Sequence, residues 1–409
     1  MKEEYVVEII NQDSFGNGIA KIDNKVIFVK NGIVGENLKI KIIENKKNYS
    51  NALIKEIIKR SNNRRDYKCP YYNECGGCSI GHINYENQLL FKKEKIISSL
   101  SRIANINDIK INDTMPSPEE YYRNKVILRV DRDIIGFYDE KTHDIINIKK
   151  CIISNHKINK IIEILSMFIS KYKDNNINEV FIRSIDETMI CIAATTFIYT
   201  KELLSYLEEI VESIYINNIL VKGKNYIVGS ILGTKFNVSK DSFFQVNKYQ
   251  TEQLYKKIIE YSQISKNDTV LDLYCGVGTI SLVISKYTKK VIGIEIIKDA
   301  IINAKENALL NKIENTEFIC GKVENIIENI KDKIDVIILD PPRNGSDTLT
   351  LQTINKINPK TIIYVSCNPD TLARDLKELM NNYKIVEITP YDMFPNTYHV
   401  ECVCKLIKI

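Results

Sequence analysis

Short runs in which apolar and polar residues alternate fill the first sixty positions of the chain. The runs are YVVEII, GIAKI, KVIFV, LKIKII and ALIKEII, and turn-forming clusters such as NQDSFGNG, DN and KNG separate them. Regular short strands joined by turns rich in Gly and Asn are typical of a small closed β-barrel. Lys and Arg recur along these runs and accumulate in residues 59–65, so the pattern predicts a barrel with a basic face.

The pattern changes in the middle of the chain. The runs YYRNKVILRV and IIGFYDEKTHDIINI alternate in polarity and predict paired strands. Residues 155–172 instead repeat their apolar side chains at helical spacing, which predicts an amphipathic helix. Strands followed by a helix indicate an α+β domain in this part of the chain.

Nearly continuous apolar runs characterise the last third. They are TVLDL, KVIGIE, VIILD and TIIYVS, and segments of helical pattern separate them. Strands of this kind, alternating with helices, predict a parallel sheet that is buried on both faces. We therefore predict an α/β protein with three parts: a barrel in residues 1–60, a central α+β domain in residues 61–236 and a Rossmann-like domain in residues 237–409.

Composition fits a soluble protein of more than one domain. The 409 residues are 44% hydrophobic and 27% charged, and their formal net charge of +5 permits a polyanionic partner without demanding one. The N-terminal residues lack a signal-peptide pattern, and no apolar run approaches the roughly 20 residues of a membrane-spanning helix. Ten cysteines in such a chain predict a cytoplasmic protein whose thiols serve metal binding or catalysis.

One group of cysteines has the spacing of a metal site. The segment CPYYNECGGC places Cys69, Cys75 and Cys78 within ten residues of one another, and Cys151 is the best candidate for a fourth ligand. Tetrahedral zinc and an iron–sulfur cluster both accept four thiolates, so the spacing predicts a metal site without choosing between them. Cys191 and Cys320 lie in other apolar runs and are predicted to be core thiols.

A glycine-rich turn in the last third has the form of a nucleotide-cofactor loop. In TVLDLYCGVGTISLVI an apolar strand is followed by Gly276 and Gly278 and then by a helix, and the next strand ends in Glu295. Such a loop brings backbone N–H groups to a ligand, and the later carboxylate is placed for a ribose. A NAD site is the alternative, but the third glycine before the helix is missing. With Asp340 in VIILDPPR, the pattern favours S-adenosylmethionine (SAM).

Cys367 follows the fourth apolar strand and therefore reaches the same edge of the predicted sheet as the glycine loop. A thiolate at that position can add to C6 of uracil and make C5 nucleophilic enough to accept a methyl group. A base must then remove the proton from C5, and Glu401 is a candidate. The thiolate itself needs stabilisation, for which the start of a helix after Pro369 and the side chain of Arg374 are the two candidates.

Six motifs together give the chain a close family resemblance. They are CGGCSIGHINYENQL, FFQVN, DLYCGVGT, DPPR, SCNPDTLARDL and FPNTYHVEC. With these motifs the chain resembles the bacterial RNA uracil-C5-methyltransferases of the RumA type, and the run GNGIAKIDNKVIFVKNGIVGE resembles a TRAM domain, an OB-like RNA-binding barrel. The resemblance implies a class I SAM methyltransferase domain, a [4Fe–4S] cluster and 23S ribosomal RNA as the partner, without an obligate protein partner.

The resemblance also implies roles for individual residues. Those that would hold the cluster are Cys69, Cys75, Cys78 and Cys151. Those that would line the SAM site are Gln245, Tyr274, Glu295 and Asp340. Phe243 would stack on the target base, Cys367 would be the nucleophile and Glu401 the base that takes the C5 proton. The chain departs from the family at Thr279, where Asn is usual, so no contact is assigned there.

Three alternatives stay open at this point. The same chemistry can act on the T-loop uridine of tRNA. A DPP motif also occurs in amino-methyltransferases, which methylate an exocyclic nitrogen and do not need a thiol. A non-catalytic RNA-binding factor with a degenerate methyltransferase fold is the third alternative, and the absence of SAM binding would favour it.

Overall fold

The computed structural model describes residues 4–140, 142 and 144–409. Its first sheet contains six strands in the order β1-β5-β6-β4-β3-β2. The strands are β1 (Glu4–Glu8), β2 (Asn11–Gln12), β3 (Gly18–Ile22), β4 (Lys25–Lys30), β5 (Asn37–Asn45) and β6 (Tyr49–Lys59). Since β1 pairs with β5 while β2 pairs with β3, residues 4–12 close the sheet into a barrel. Alternate residues of the strands fill its small core, as the period-two pattern predicts.

A helical segment connects the barrel to the rest of the chain. It consists of α1 (Tyr85–Ser99), a π-helical turn (Leu100–Ala104) and the short strand β7 (Lys110–Ile111). β7 pairs with a strand near the C-terminus, and Ile96 and Leu100 belong to the core of the C-terminal sheet. The segment lies within residues 61–236, so we propose that the structural boundary of the central domain falls after residue 111 rather than at residue 61.

The central sheet has seven strands and carries two helices on one face. Its strands are β8 (Lys125–Asp131), β9 (Ile134–Tyr138), β10 (Ile145–Asn147), β11 (Ile177–Ser184), β12 (Thr188–Ala194), β13 (Ser213–Ile216) and β14 (Ile219–Lys222). The helices are α2 (His156–Lys171) and α3 (Thr200–Leu207). The apolar stripe of α2 is buried, with Ile161, Leu165 and Phe168 inaccessible to solvent. The hairpin of β15 (Tyr226–Ile231) and β16 (Thr234–Ser239) follows.

The C-terminal sheet has eight strands in the order β19-β18-β17-β20-β21-β23-β22-β7. Its remaining strands are β17 (Thr269–Leu273), β18 (Lys290–Glu295), β19 (Thr316–Cys320), β20 (Val336–Leu339), β21 (Thr361–Ser366), β22 (Tyr383–Tyr391) and β23 (Glu401–Lys408). The helices around it are α4 (Lys248–Ser262), α5 (Thr279–Ile284), α6 (Lys298–Leu310), α7 (Val323–Ile326), α8 (Thr348–Ile357) and α9 (Pro369–Leu379). Strands β17 to β21 are parallel, whereas β23 is antiparallel to β21.

This topology brings five chain segments to one edge of the sheet. The parallel strands β17, β18, β20 and β21 end there, and the antiparallel strand β23 begins there.

The prediction that Cys320 is a core thiol is wrong. Its strand, β19, is the outermost strand on one side of the sheet, and Cys320 is exposed there. Within the described residues, no helix is both long enough and apolar enough to cross a bilayer.

A buried ion pair fixes the loop between β22 and β23. Lys92 of α1 and Asp392 are both inaccessible to solvent and contact each other, and the lysine also donates to the carbonyl of Phe394 (3.1 Å). Asp392 Oδ2 has no partner in the described part of the chain, so the carboxylate depends on Lys92 for its compensation. The loop therefore depends on helix α1, although some three hundred residues separate the two partners.

Replacing Lys92 with Met will leave the Asp392 carboxylate buried and unpaired. We expect the free energy of unfolding to fall by about 3–5 kcal/mol, the usual consequence of removing one partner of a buried pair. Urea titration followed by circular dichroism measures the change. The double variant Lys92→Met/Asp392→Leu removes both charges and should recover most of the loss; a double variant as unstable as the single one would contradict this account.

Candidate active site

The loop after β17 has the backbone of a ligand-binding turn. Tyr274 and Gly276 adopt left-handed conformations, with φ of 66° and 56°, and a Cβ added to Gly276 would meet no atom within 4 Å. Gly278, with φ of 79°, is different, because a Cβ there would lie 3.0 Å from the ring of Phe318. One glycine therefore faces open space at the sheet edge, while the other allows close packing against the core.

Two carboxylates lie next to this loop in the sheet. Glu295, the last residue of β18, accepts hydrogen bonds from the backbone N–H groups of Gly276 (3.2 Å) and Ile297 (2.9 Å). Asp272 is fully buried in β17 and accepts from the hydroxyl of Ser281, but its Oδ1 has no partner in the described residues. Burial raises the pKa of Asp272 to about 7, with contributions from the charges of Asp340 and Glu295.

Asp340, Cys367 and Glu401 converge on the same edge. Asp340 directly follows β20, Cys367 directly follows β21, and Glu401 is the first residue of β23. Burial raises the pKa of Cys367 to about 11, and the charges of Glu401 and Asp340 act in the same direction. Burial likewise raises the pKa of Glu401 to about 8 and that of Asp340 to about 7. The three side chains therefore form one electrostatically coupled group in a desolvated cleft.

Such a group attracts a cation. The charge of Asp340 raises the pKa values of Glu401 and Asp272, and a positive ligand beside these carboxylates would relieve the repulsion. A sulfonium group carries this charge, and the carboxylate of Glu295 stands on the adjacent strand where a ribose hydroxyl can donate to it. The residues at the edge therefore fit SAM, as the motif predicted.

Arg343 is a site residue that the sequence reasoning did not assign. Its positive charge lowers the pKa of both Cys367 and Glu401, in opposition to burial. Its backbone carbonyl accepts hydrogen bonds from Asn368 Nδ2 (3.0 Å) and Thr371 Oγ1 (3.3 Å), which join the DPPR loop to the loop after Cys367. The signal was present in the DPPR motif, where the arginine follows the two prolines directly.

Arg374 does not have the predicted role. Its guanidinium pairs with Asp375 (2.7 Å) and donates to the carbonyls of Asn344 and Ser346, so it holds a loop together. The other candidate is present: α9 begins at Pro369, two residues after Cys367, with Asn368 as its N-cap. Arg343 rather than Arg374 is thus the arginine whose positive charge lowers the pKa of the thiol.

Phe243 and Gln245 lie on a different element, the loop between β16 and α4. The Phe243 ring is 71% exposed, and no ring contact within the described ranges connects it to the sheet edge. The buried Arg183 donates to the carbonyls of Ser239 and Ser242, both at 2.8 Å, and Asn124 Nδ2 donates to the carbonyl of Gln245 (3.0 Å). Central-domain residues therefore fix the position of this loop.

The four predicted ligand cysteines line one cavity of about 460 Å³. Burial raises the pKa of Cys78 to about 12, and the charges of Cys151, Cys75 and Cys69 act in the same direction. Cys151 is thus electrostatically coupled to the other three, although more than seventy residues separate it from them. The structure brings the predicted set of thiols together.

The arrangement of these thiols bears on the kind of metal group. A single zinc ion requires sulfur atoms about 2.3 Å from one centre, and no three His, Cys, Asp or Glu side chains of the described residues are grouped closely enough to hold one metal ion. A [4Fe–4S] cluster binds one thiolate at each iron and therefore needs the four sulfurs farther apart. Four cysteine thiols around one cavity are the donor set that such a cluster requires.

A buried asparagine connects the cysteine segment to the loop that leads to Glu401. The carbonyl of Asn396 accepts from the N–H groups of Ser79 (2.9 Å) and Ile80 (3.0 Å), directly after Cys78. Its side chain accepts from Arg65 (2.6 Å), and φ is 68°. The sequence offered only the turn-forming context of FPNT, so long-range partners of this kind were not predictable from it.

Two protein-family models together match most of the chain. The model of the tRNA (uracil-5-)-methyltransferase family matches residues 84–409, and the TRAM domain model matches residues 2–55. An uncharacterized RNA methyltransferase of Clostridium acetobutylicum is 38% identical, covering 99% of this chain and 97% of that protein. One from Staphylococcus aureus is 37% identical, covering 98% and 97%.

A solved structure supports the same assignment. The Pyrococcus abyssi tRNA (uracil-54, C5)-methyltransferase, crystallised with S-adenosyl-L-homocysteine, superimposes with a TM-score of 0.80 at 27% identity. The match covers 98% of this chain and 99% of the archaeal one. The chain therefore belongs to the tRNA (uracil-5-)-methyltransferase family, as a SAM-dependent RNA methyltransferase with an N-terminal TRAM domain.

Proposed function

We propose that the protein methylates C5 of a uridine in RNA through a covalent adduct between Cys367 and C6 of the base. The observation that carries this proposal is the convergence of Cys367, Asp340 and Glu401 at the sheet edge beside the open glycine loop. An amino-methyltransferase has no use for a thiol at that place. Glu401, buried next to the thiol, has the position of the base.

The reaction has three steps. The Cys367 thiolate adds to C6, a C–S bond forms, and the electrons of the C5=C6 bond move to the C4 carbonyl as an enolate. C5 then takes the methyl group of SAM, and the methyl–sulfur bond breaks to leave S-adenosylhomocysteine. Finally, the Glu401 carboxylate removes the C5 proton, the C5=C6 bond forms again and the C6–S bond breaks, which regenerates the thiolate.

The other predicted residues have supporting roles in this proposal. Glu295, Tyr274, Asp340 and Gln245 would bind and orient SAM, which supplies the methyl group when bound. Phe243 has the exposed ring that stacking on a flipped target base requires. Because this ring is exposed in the free protein, its role depends on RNA being bound rather than on contacts within the protein.

We further propose that Cys69, Cys75, Cys78 and Cys151 hold a [4Fe–4S] cluster that supports structure and RNA positioning. The cavity they line is separate from the residues of the sheet edge, and Asn396 connects the two regions through the backbone. A cluster-free protein with full activity and unchanged RNA affinity would refute this role. The chemical steps themselves need only the residues at the sheet edge.

We infer 23S ribosomal RNA as the substrate from the resemblance to the RumA type, which combines a TRAM barrel with a four-cysteine cluster. The T-loop uridine of tRNA is the second candidate. The similarity to the Pyrococcus abyssi tRNA methyltransferase, over almost the full length of both chains, favours that candidate. The two substrates require the same chemistry at Cys367, so one assay can compare them.

The test is a trapping experiment with 5-fluorouridine. The protein is incubated with SAM and fluorinated fragments of 23S rRNA and tRNA in parallel. Glu401 cannot remove fluorine as a proton, so we expect a stable adduct on the peptide that contains Cys367, detected by mass spectrometry. The RNA that is trapped identifies the substrate. Methyl transfer to ordinary RNA without any adduct would instead assign the protein to the nitrogen-methylating class.

The rate of methylation should rise with pH. Cys367 and Glu401 must both be deprotonated to act, and burial raises their pKa values to about 11 and about 8. We therefore expect kcat/KM to increase from pH 6 to pH 9, because it reports groups of the free enzyme. Arg343→Gln should move this rise to higher pH, since the arginine lowers both pKa values. Arg343→Lys keeps the charge and should leave the profile in place; identical profiles for all three proteins would contradict the role of Arg343.

A further inference from the structure

A row of aromatic rings extends from the barrel to the catalytic strand. Phe15, in the loop between β2 and β3, lies 5.2 Å from Tyr398 in an edge-to-face arrangement. Tyr398 lies 4.3 Å from His399, and His399 lies 5.9 Å from Phe394. Despite its contact with Tyr398, the Phe15 ring is 57% exposed. An aromatic ring that is held in solvent has a free surface on which another ring can stack.

The Phe15 loop is rigid. Asp13 Oδ1 accepts hydrogen bonds from the N–H groups of Phe15 (2.9 Å) and Asn17 (2.8 Å), which closes the turn. Gly16 has φ of 87°, and a Cβ there would lie 2.3 Å from Ile80, so the loop packs directly on the cysteine segment. The ring is thus held in one place before any ligand binds, which lowers the entropic cost of stacking.

A single lysine fastens this loop to the loop that leads to Glu401. Lys95 of α1 donates to the carbonyls of Ser14 (2.9 Å) and Tyr398 (3.1 Å), and its ammonium lies 4.8 Å from the centre of the Tyr398 ring. Tyr398 is also held from the other side, because its N–H donates to the hydroxyl of Ser79 (3.0 Å). Lys95 thus places a basic group beside the half-buried Tyr398 ring and next to the exposed Phe15, a combination that suits a base together with its phosphate.

The row ends at the catalytic residues. His399 lies two residues before Glu401, and the positive charge of Arg343 lowers the pKa of His399 as well as those of Glu401 and Cys367. Burial contributes most and lowers the His399 pKa to about 4, so the ring that contacts Tyr398 and Phe394 is neutral at physiological pH. A strand whose uridine occupies the Cys367 cleft would therefore pass these rings with a neighbouring nucleotide.

We propose that Phe15, Tyr398 and His399 form a stacking platform for an unpaired RNA base that neighbours the methylated uridine. This inference rests on the proposed function, because it requires an RNA strand in the Cys367 cleft. It differs from the role proposed for Phe243, which contacts the target base itself. It also gives the barrel a specific role in recognition, since the rigid Phe15 loop selects substrates in which a base beside the target is free to unstack.

The test compares Phe15→Ala with the unchanged protein on the RNA fragment that forms the Cys367 adduct. Base stacking on an aromatic ring is worth about 1–3 kcal/mol, so the Kd for RNA should rise by about 5- to 140-fold while the Kd for SAM stays the same. Tyr49→Ala is the matched control, because Tyr49 is a partly exposed ring of the same barrel that pairs with Phe28 instead of Tyr398. Its RNA affinity should stay close to that of the unchanged protein.

Abasic RNA shows whether Phe15 contacts a base. Abasic nucleotides are introduced one at a time on either side of the target; one position should weaken binding to the unchanged protein and have no further effect on Phe15→Ala. Phe15→Leu keeps an apolar contact with Tyr398 but offers no aromatic face, so it should bind as weakly as the alanine variant. Equal affinity of Phe15→Ala and the unchanged protein, full recovery by leucine, or equal losses at every abasic position in both proteins would each overturn the platform.

The platform and the proposed function fail in different ways. At saturating RNA, both the unchanged protein and Phe15→Ala should form the fluorouridine adduct, since the catalytic residues are intact. An unchanged protein that forms no adduct with any RNA refutes the proposed function. An adduct in both proteins together with equal RNA affinities refutes the platform alone.

Discussion

Cys367→Ala will lose methyl transfer to RNA by about 10⁴-fold or more, because it removes the thiol that follows β21 and adds to the base. C5 of uracil does not attack a methyl sulfonium until a nucleophile has added at C6. Binding of SAM should be unchanged, since the glycine loop and Glu295 belong to other strands of the sheet. Single-turnover transfer of a radioactive methyl group, together with calorimetric SAM binding, measures the two properties separately.

Cys191 offers a matched control for this variant. It is half-buried like Cys367, and burial raises its pKa to about 11 as well, but it lies on β12 in the central sheet. Cys191→Ala should therefore keep full activity and form the fluorouridine adduct. This result would show that the position of Cys367, rather than the pKa or burial of its thiol, makes it the nucleophile. If Cys367→Ala retained methylation, the covalent mechanism would be wrong and the amino-methyltransferase alternative would take its place.

The parts of the site that the sequence predicted depend on local patterns. An apolar strand that ends in a polar residue or a glycine turn can be recognised from a few neighbouring positions, and this is how Gly276, Glu295, Asp340 and Cys367 were found. Parallel strands then bring these residues to one edge by the general rule for α/β sheets. The structure agrees, since each of the four lies at the end of its strand or in the turn that follows it.

Other features of the site depend on long-range topology, although Glu401 itself was predicted as the candidate base. Glu401 reaches the edge because β23 runs antiparallel between β21 and β22, and no local pattern fixes that insertion. β7 lies within residues 61–236 but pairs with β22, a partner that no pattern near residue 110 could indicate. Arg374 was named, together with the start of α9, as a candidate for stabilising the thiolate, but its guanidinium pairs with Asp375, a partner that closeness in sequence to Cys367 did not predict.

The loop between β22 and β23 is held by contacts with helix α1, the segment after Cys78 and the barrel. Lys92 fixes its start, Asn396 attaches its middle to the segment after Cys78, and Lys95 attaches Tyr398 to the barrel. Three parts of the chain therefore determine where Glu401 enters the sheet edge. A change in the barrel or in the segment after Cys78 is therefore expected to affect the position of Glu401.

Glu401→Gln will convert the enzyme into one that stops after methyl transfer. Glutamine keeps the size of the side chain but cannot accept the C5 proton, so the methylated base should remain attached to Cys367. Removing the negative charge also removes one cause of the raised pKa of Cys367, so addition at C6 should not slow. We expect turnover to fall by about 10²–10⁴-fold. An adduct should accumulate on ordinary RNA, and its mass should exceed that of protein plus unmethylated RNA by one methyl group.

Accumulation of the methylated adduct is expected only when the carboxylate at the sheet edge is removed, and Glu387 provides the control. Glu387 lies on the adjacent strand β22, where Lys110 and Asn112 hold its carboxylate away from the edge, so Glu387→Gln should turn over normally without an adduct. Free methylated RNA from Glu401→Gln at the normal rate would mean that another group, such as Asp340, removes the proton. Failure to form any adduct would mean that Glu401 acts before methyl transfer, in generating the thiolate. Accumulation of the methylated adduct is the one result in which the thiol adds, the methyl group moves and only the last proton transfer is missing.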